Sequence, residues 1–137
     1  MSSAQTGRYL LDTNAASAIL RQREPVCARA ASMPLSALAI SSVTAAEMHY
    51  GLAKRPEATS LAKLVREFLR YADILPWSDA IAPHYGTLRA ALEAKGVTIA
   101  PLDLMIAAHA LALDARLVSA DQALLMIDIL KVEDWSV

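Results

Sequence analysis

Apolar residues along this chain follow two rhythms, and the change from one to the other marks its elements. Short apolar runs end abruptly at polar residues: Arg8–Asp12 (RYLLD), Leu38–Val43 (LAISSV), Asp73–Trp77 (DILPW), Arg116–Ser119 (RLVS) and Leu130–Val132. Runs of this length between polar breaks predict buried strands. Pro76 has no N–H to give to a ladder, so it assigns Asp73–Trp77 to a sheet edge.

Between the strands the spacing shifts to three and four. Thr59–Tyr71 is the clearest case, with Leu61, Leu64, Val65, Phe68 and Leu69 on one helical face. Helices are also predicted over Ala15–Arg23, from Pro25 toward Met33, from Thr44 to about Lys54 (stopped by Pro56), over Asp79–Lys95 (ended by Gly96) and over Asp121–Ile127. Val97–Pro101 is a loop with Asp103 at its exit. Leu102–Leu113 is almost wholly apolar and rich in Ala, which predicts a central helix covered on several sides. Strands alternating with helices make an α/β fold: a mostly parallel sheet with helices on both faces. Right-handed crossovers then bring every strand-to-helix exit to one edge.

Composition adds limits. The 137 residues fit one domain spanning 1–137. Hydrophobic residues are 55% and aromatics only 5%, so Ala, Leu, Ile and Val fill the core. A domain near this size buries roughly 70% of the surface its unfolded chain exposes. The net charge of −1 gives no global basic field for non-specific nucleic-acid binding, and it leaves open an enzyme that reaches phosphates through a metal. Cys27 stands alone, which excludes an intrachain disulfide and a thiolate cluster, and it reads as a small buried hydrophobe. Residues 1–7 are polar, without a signal-peptide core, and no apolar run approaches the ~20 residues a membrane span needs. The expectation is a cytoplasmic protein with no membrane partner.

Four acids then stand out. Asp12, Glu47, Asp103 and Asp121 each lie where an apolar run stops and a helix begins, at the carboxyl edge of the strands where open α/β sheets bind ligands. Each has an ordinary explanation. Thr44 and Glu47 spell a capping box, Asp103 lies in the first turn of its helix, Asp121 is a plain N-cap, and Asp12 opens an Asx turn toward Asn14. As a set they are harder to dismiss, because converging carboxylates repel. Helix dipoles offset about 2 kcal/mol at best. A hard cation such as Mg²⁺ or Mn²⁺, which prefers oxygen ligands, removes that repulsion.

YLLDTN (9–14), SSVTAAEMHYGLAKRPEA (41–58), PLDLMIAAHALAL (101–113), LVSAD (117–121) and KVEDW (131–135), in that order, resemble a PIN-domain ribonuclease, and more narrowly the VapC toxins of type II toxin–antitoxin systems. The likeness spans nearly the whole chain. It implies a three-layer α/β/α fold with a four- or five-stranded parallel sheet ordered 3-2-1-4-5. It implies a Mg²⁺- or Mn²⁺-dependent endoribonuclease leaving a 5′-phosphate and a 3′-hydroxyl, a VapB-like antitoxin that inserts a segment into the toxin's groove, and a homodimer assembled with it. By the same resemblance Asp12, Glu47, Asp103 and Asp121 match the acidic metal-binding positions, and Thr13, Asn14 and Ser119 match polar positions that support them. The chain departs from the pattern at Ala100 and Asp128, where relatives often carry Gly, and in QALLMIDIL after Asp121, which lacks the usual aromatic.

On this reading Asp12 holds or bridges the principal cation, Asp103 supplies a second oxygen, and Glu47 and Asp121 complete the pocket. A bound cation lowers the pKa of its water and stabilises charge on the scissile phosphate, so no Ser, His or Cys nucleophile is needed. Arg89 and Lys95, on the helix before Asp103, are candidate RNA contacts as well as an ordinary solvated face. His49, His84 and His109 lack ligand spacing, and His49 and His109 read as packing or hydrogen-bonding residues. Trp77 and Trp135 close the core or an interface, and Met48, Met105 and Met126 fill the core. The apolar helices at 15–33 and 59–71 suit sheet coverage and a partner-binding groove equally. Two rival functions share these residues: a catalytically silent PIN-fold binding module, and an aspartyl phosphotransfer protein using Asp12. The latter lacks both a second Asp at position 14 and an acidic neighbour at position 11.

Overall fold

The computed structural model describes residues 7–137, so most of the polar opening stretch read for a signal peptide lies outside the described residues. Five strands form one all-parallel sheet: β1 (Tyr9–Leu11), β2 (Leu38–Ser41), β3 (Ile74–Leu75), β4 (Arg116–Val118) and β5 (Val132–Glu133). Their order is β3-β2-β1-β4-β5, the order implied by the resemblance. β1 is central, pairing Leu11 with Ile40 on one side and Val118 on the other. β3 is an edge strand, as Pro76 requires.

Adjacent strand residues divide between two cores because successive side chains point to opposite faces. Leu10, Ala39 and Leu117 pack on one face, while Leu11, Ile40 and Val118 pack on the other. The helices follow suit. α1 (Thr13–Leu20), α2 (Val26–Ala31), α3 (Ser42–Lys54) and α4 (Thr59–Tyr71) supply the second core. α5 (Ala82–Ala94), α6 (Pro101–Leu113) and α7 (Gln122–Leu125) supply the first. Three layers result. α6 is covered on several sides: Leu104 and Ile106 through Ala110 are all buried. Among the described residues no helix is long and apolar enough to cross a membrane.

Several boundaries differ from the sequence reading, each for a local reason. α1 begins two residues early because Asp12 caps it, and it stops at Leu20, before Gln22 takes a left-handed φ of 57°. β2 ends at Ser41, since Ser41 rather than Thr44 is the N-cap of α3: its Oγ accepts the Val43 N–H at 3.1 Å. Ser78–Ile81 turn before α5 starts, and Leu130 goes into the core ahead of the two-residue β5. α7 is only four residues long.

Ala100 sits at φ −54°, ψ 137°, and Asp128 has no positive φ, so neither place needs Gly. Gly96, at φ 73°, does end α5 in a conformation that suits Gly. Met126 is 80% exposed, Met105 is half-buried and only Met48 is buried, because the short α7 leaves residue 126 in a surface turn. Cys27 is half-buried rather than buried. Trp135 is fully buried, and half-buried Trp77 donates its indole N–H to the Met105 carbonyl at 2.9 Å.

An apolar groove of about 770 Å³ runs between α1 and α4, lined by Ile19, Leu20, Leu35, Leu64, Phe68 and Tyr71. It takes only the first half of the apolar stretch at 15–33, for α2 contributes no lining residue.

Candidate active site

The acids reach one sheet edge by three routes. Asp12 follows the last residue of β1 and caps α1: its Oδ1 accepts the Ala15 N–H at 2.8 Å, rather than closing an Asx turn onto Asn14. Asp121 follows β4 by three residues and caps α7 through the Ala123 N–H at 2.9 Å. Asp103 lies in the first turn of α6, where the helix dipole favours negative charge. Asp12, Asp103 and Asp121, with Asn14 and Ser119, line a single cleft of about 240 Å³.

Glu47 arrives differently. It is not part of a capping box, because the helix starts before Thr44 and Thr44 is buried inside it with Oγ1 unpartnered. Instead the Glu47 carboxylate accepts a short hydrogen bond from the Thr13 hydroxyl, joining α3 to the first residue of α1. Its charge is close enough to raise the pKa of Asp103.

Electrostatics bind the set together. Burial pushes the Asp12 carboxyl above its ordinary range, and the charges of Asp103 and Asp121 push it the same way. Hydrogen bonds from the Ala15 N–H and the Ser119 hydroxyl oppose the rise. Ser119 can do this while holding its own loop, because its Oγ accepts the Asp121 N–H at 3.1 Å and leaves the O–H free to donate. Asp103 is raised chiefly by burial, then by Glu47 and Asp121. Two carboxylates are thus penalised for carrying charge beside their neighbours. Among the described residues, however, no group of three or more His, Cys, Asp or Glu side chains is arranged to hold a metal ion.

The other residues singled out take clear positions. Arg89 commits its guanidinium to Glu93 at 3.0 Å and to the Tyr85 hydroxyl at 3.2 Å, within its own helix. Lys95 is the exposed C-cap of α5, and neither cation lines the acidic cleft. His49 is exposed and His84 half-buried. His109 is buried on α6, with its Nδ1 2.8 Å from the Ser41 Oγ. Burial holds the His109 pKa below its ordinary 6.5, which favours the neutral ring. This contact fastens the helix bearing Asp103 to the start of the helix bearing Glu47. The sequence offered a histidine on a buried face but no partner for it, since Ser41 lies far away along the chain.

The family model for the PIN domain matches residues 9–130. The chain belongs to the PIN-domain family. Ribonuclease VapC2 of Haemophilus influenzae is 30% identical over 103 residues, covering 75% of this chain and 78% of that protein, which sets this PIN domain among the VapC ribonucleases. The tRNA(fMet)-specific endonuclease VapC of Shigella flexneri is 28% identical over 94% of this chain and 98% of its own length. Among solved structures, VapBC2 from Rickettsia felis bound to a DNA fragment from their promoter includes a chain matching with a TM-score of 0.83 at 31% identity, over 93% of this chain and 98% of that one. DNA-bound VapBC from Salmonella typhimurium matches with a TM-score of 0.84 at 29% identity, over the same shares. The five-stranded parallel sheet of this PIN domain therefore has the expected architecture, and Asp12, Asp103 and Asp121 line one cleft beside it.

Proposed function

We propose that this VapC-family PIN domain is a Mg²⁺- or Mn²⁺-dependent endoribonuclease toxin, acting in the cytoplasm and restrained by a VapB-like antitoxin. The observation that carries the reading is the shared cleft of Asp12, Asp103 and Asp121, in which burial and mutual repulsion raise two of the three carboxyls. An all-oxygen donor set of crowded carboxylates fits a hard divalent cation. Asp12 and Asp103 would hold it, and Glu47 and Asp121 would complete the pocket.

When bound, the cation supplies Lewis-acid stabilisation of the scissile phosphate and acidifies water for attack. The chain's own residues do the rest. The Ala15 N–H and the Ser119 hydroxyl orient Asp12, Thr13 holds Glu47, and Asn14 stands exposed at the mouth, where it can donate to a phosphate oxygen.

The antitoxin reading draws support from two sources. The related structures from Rickettsia felis and Salmonella typhimurium are of VapBC on DNA. The groove between α1 and α4 also leaves Leu35 80%, Tyr71 69% and Leu64 48% exposed, as an apolar partner helix requires. A homodimer assembled with that partner completes the proposal.

Cleavage of RNA by wild type and by Asp12→Asn, with Mn²⁺ and with EDTA, tests the reading. The Asn retains the α1 cap, so the fold survives. Expected are Mn²⁺-dependent cuts with 5′-phosphate ends in wild type and none in the variant. Undiminished cutting by Asp12→Asn defeats the mechanism.

A further inference from the structure

A second, smaller depression of about 110 Å³ lies against the acidic cleft and shares a wall with it: Asp12, Asn14, Ser119 and Ala120 line both. Its floor is apolar, made by Ala15, Ala18, Val26 and Trp135. The floor is also fixed. The Trp135 indole N–H donates to Glu133 at 3.0 Å, the Tyr9 ring lies 5.4 Å away and the Arg29 guanidinium 5.7 Å from the indole. The outer lip is the C-terminal segment carrying Asp134 and Ser136. One Asp134 oxygen accepts from the Ser136 N–H and hydroxyl. Among the described residues the other oxygen accepts no hydrogen bond and forms no salt bridge.

An apolar slot with a free carboxylate at its lip repels a phosphate. It suits a flat ring with an N–H edge, and its common wall with Asp12 sets it directly beside the acidic cleft. Unpaired bases in RNA are read through such edges. We propose that this depression receives the nucleobase adjoining the cut, and that Asp134 makes guanine the preferred base. Guanine presents N1–H and N2–H side by side, so the one free Asp134 oxygen meets only donors. Adenine and cytosine each set a ring nitrogen acceptor beside their amino group, and uracil flanks its single N–H with two carbonyls. The preference rests on the nuclease reading for its position relative to the cut, but the floor and lip of the slot (Ala15, Ala18, Val26, Asp134, Trp135 and Ser136) lie outside the acid set.

The test uses the full chain with Mn²⁺ and short single-stranded RNAs differing only in the bases flanking the cut. Wild type is expected to favour guanine on one side by about tenfold in kcat/KM, the scale of one good carboxylate–base pair. Asp134→Asn should flatten that preference while cutting continues and the melting temperature holds. Ala18→Leu, which fills the floor, should raise KM more than it lowers kcat, with folding checked by circular dichroism. In parallel, fluorescence anisotropy with Asp12→Asn measures binding of guanine- and uracil-bearing RNAs without cleavage. Equal rates and equal binding for all bases, or an unchanged guanine preference in Asp134→Asn, overturn the proposal. If no RNA is cut but Asp12→Asn still binds guanine-bearing RNA about tenfold better through Asp134, the slot stands and the nuclease reading falls.

Discussion

Breaking the His109–Ser41 contact should unfasten the two helices that carry Asp103 and Glu47. In Ser41→Ala two losses add. The Val43 N–H loses its cap, worth about 1 kcal/mol, and the buried His109 Nδ1 loses its partner, worth about 1–3 kcal/mol. A total of ~2–4 kcal/mol corresponds to a fall of roughly 8–15 °C in melting temperature for a chain this size. His109→Leu removes the ring and leaves the cap intact. Once either partner is gone, losing the other costs less, so the double variant should be destabilised by at least ~1 kcal/mol less than the sum of the single variants. Urea denaturation at pH 7.5 of all four proteins measures this. Additivity within about 0.5 kcal/mol would refute the contact as the tie between α3 and α6. The pH dependence supplies a second reading. His109 is held below its ordinary 6.5 by burial, so the unfolded chain binds the proton more readily than the fold does. Wild-type stability should therefore be full above pH 6.5 and fall as the pH drops from there through the folded pKa, and His109→Leu should remove that part of the slope.

Three further outcomes are expected. Thr44→Val should stabilise the protein by about 1 kcal/mol in thermal melts, since it removes a buried hydroxyl with no partner; a loss of that size would instead restore Thr44 as a helix cap. In metal-free buffer Asp12→Asn and Asp103→Asn should each raise the melting temperature at neutral pH and lose that advantage at or below pH 3.8, because a raised carboxyl destabilises the fold only where it is forced to ionise. Leu64→Glu, on the exposed side of the α1–α4 groove, should weaken capture by a VapB-like peptide at least tenfold in calorimetry while leaving RNA cleavage unchanged.

How much of this was legible beforehand depended on how local each cause was. The end of β1 at Asp12 could be read because an apolar run simply stops there, and Gly96 marked the end of α5 by its own backbone freedom. The β3 edge followed from one proline. The start of α3 was not legible: Ser41, Ser42 and Thr44 are all residue types that cap helices, and the Ser41 hydroxyl that takes the role also meets His109, 68 residues downstream. Glu47 likewise read as a local cap, yet its carboxylate turns to Thr13, 34 residues back. Met126 looked like core because periodicity cannot reveal that α7 ends after a single turn. In the site, the acids and Ser119 were visible as residue types at strand exits, whereas the slot beside Trp135 depends on the C-terminal segment folding back against α1, which no spacing encodes.

The sheet order has a temporal consequence. Asp12 belongs to the first strand made and Asp121 follows the fourth, yet β1 and β4 lie side by side. A ribosome that has released only the first hundred residues holds a chain with neither α6 nor β4, and hence no cleft. The cleft therefore forms late in synthesis, once the last third of the chain has joined the first strand.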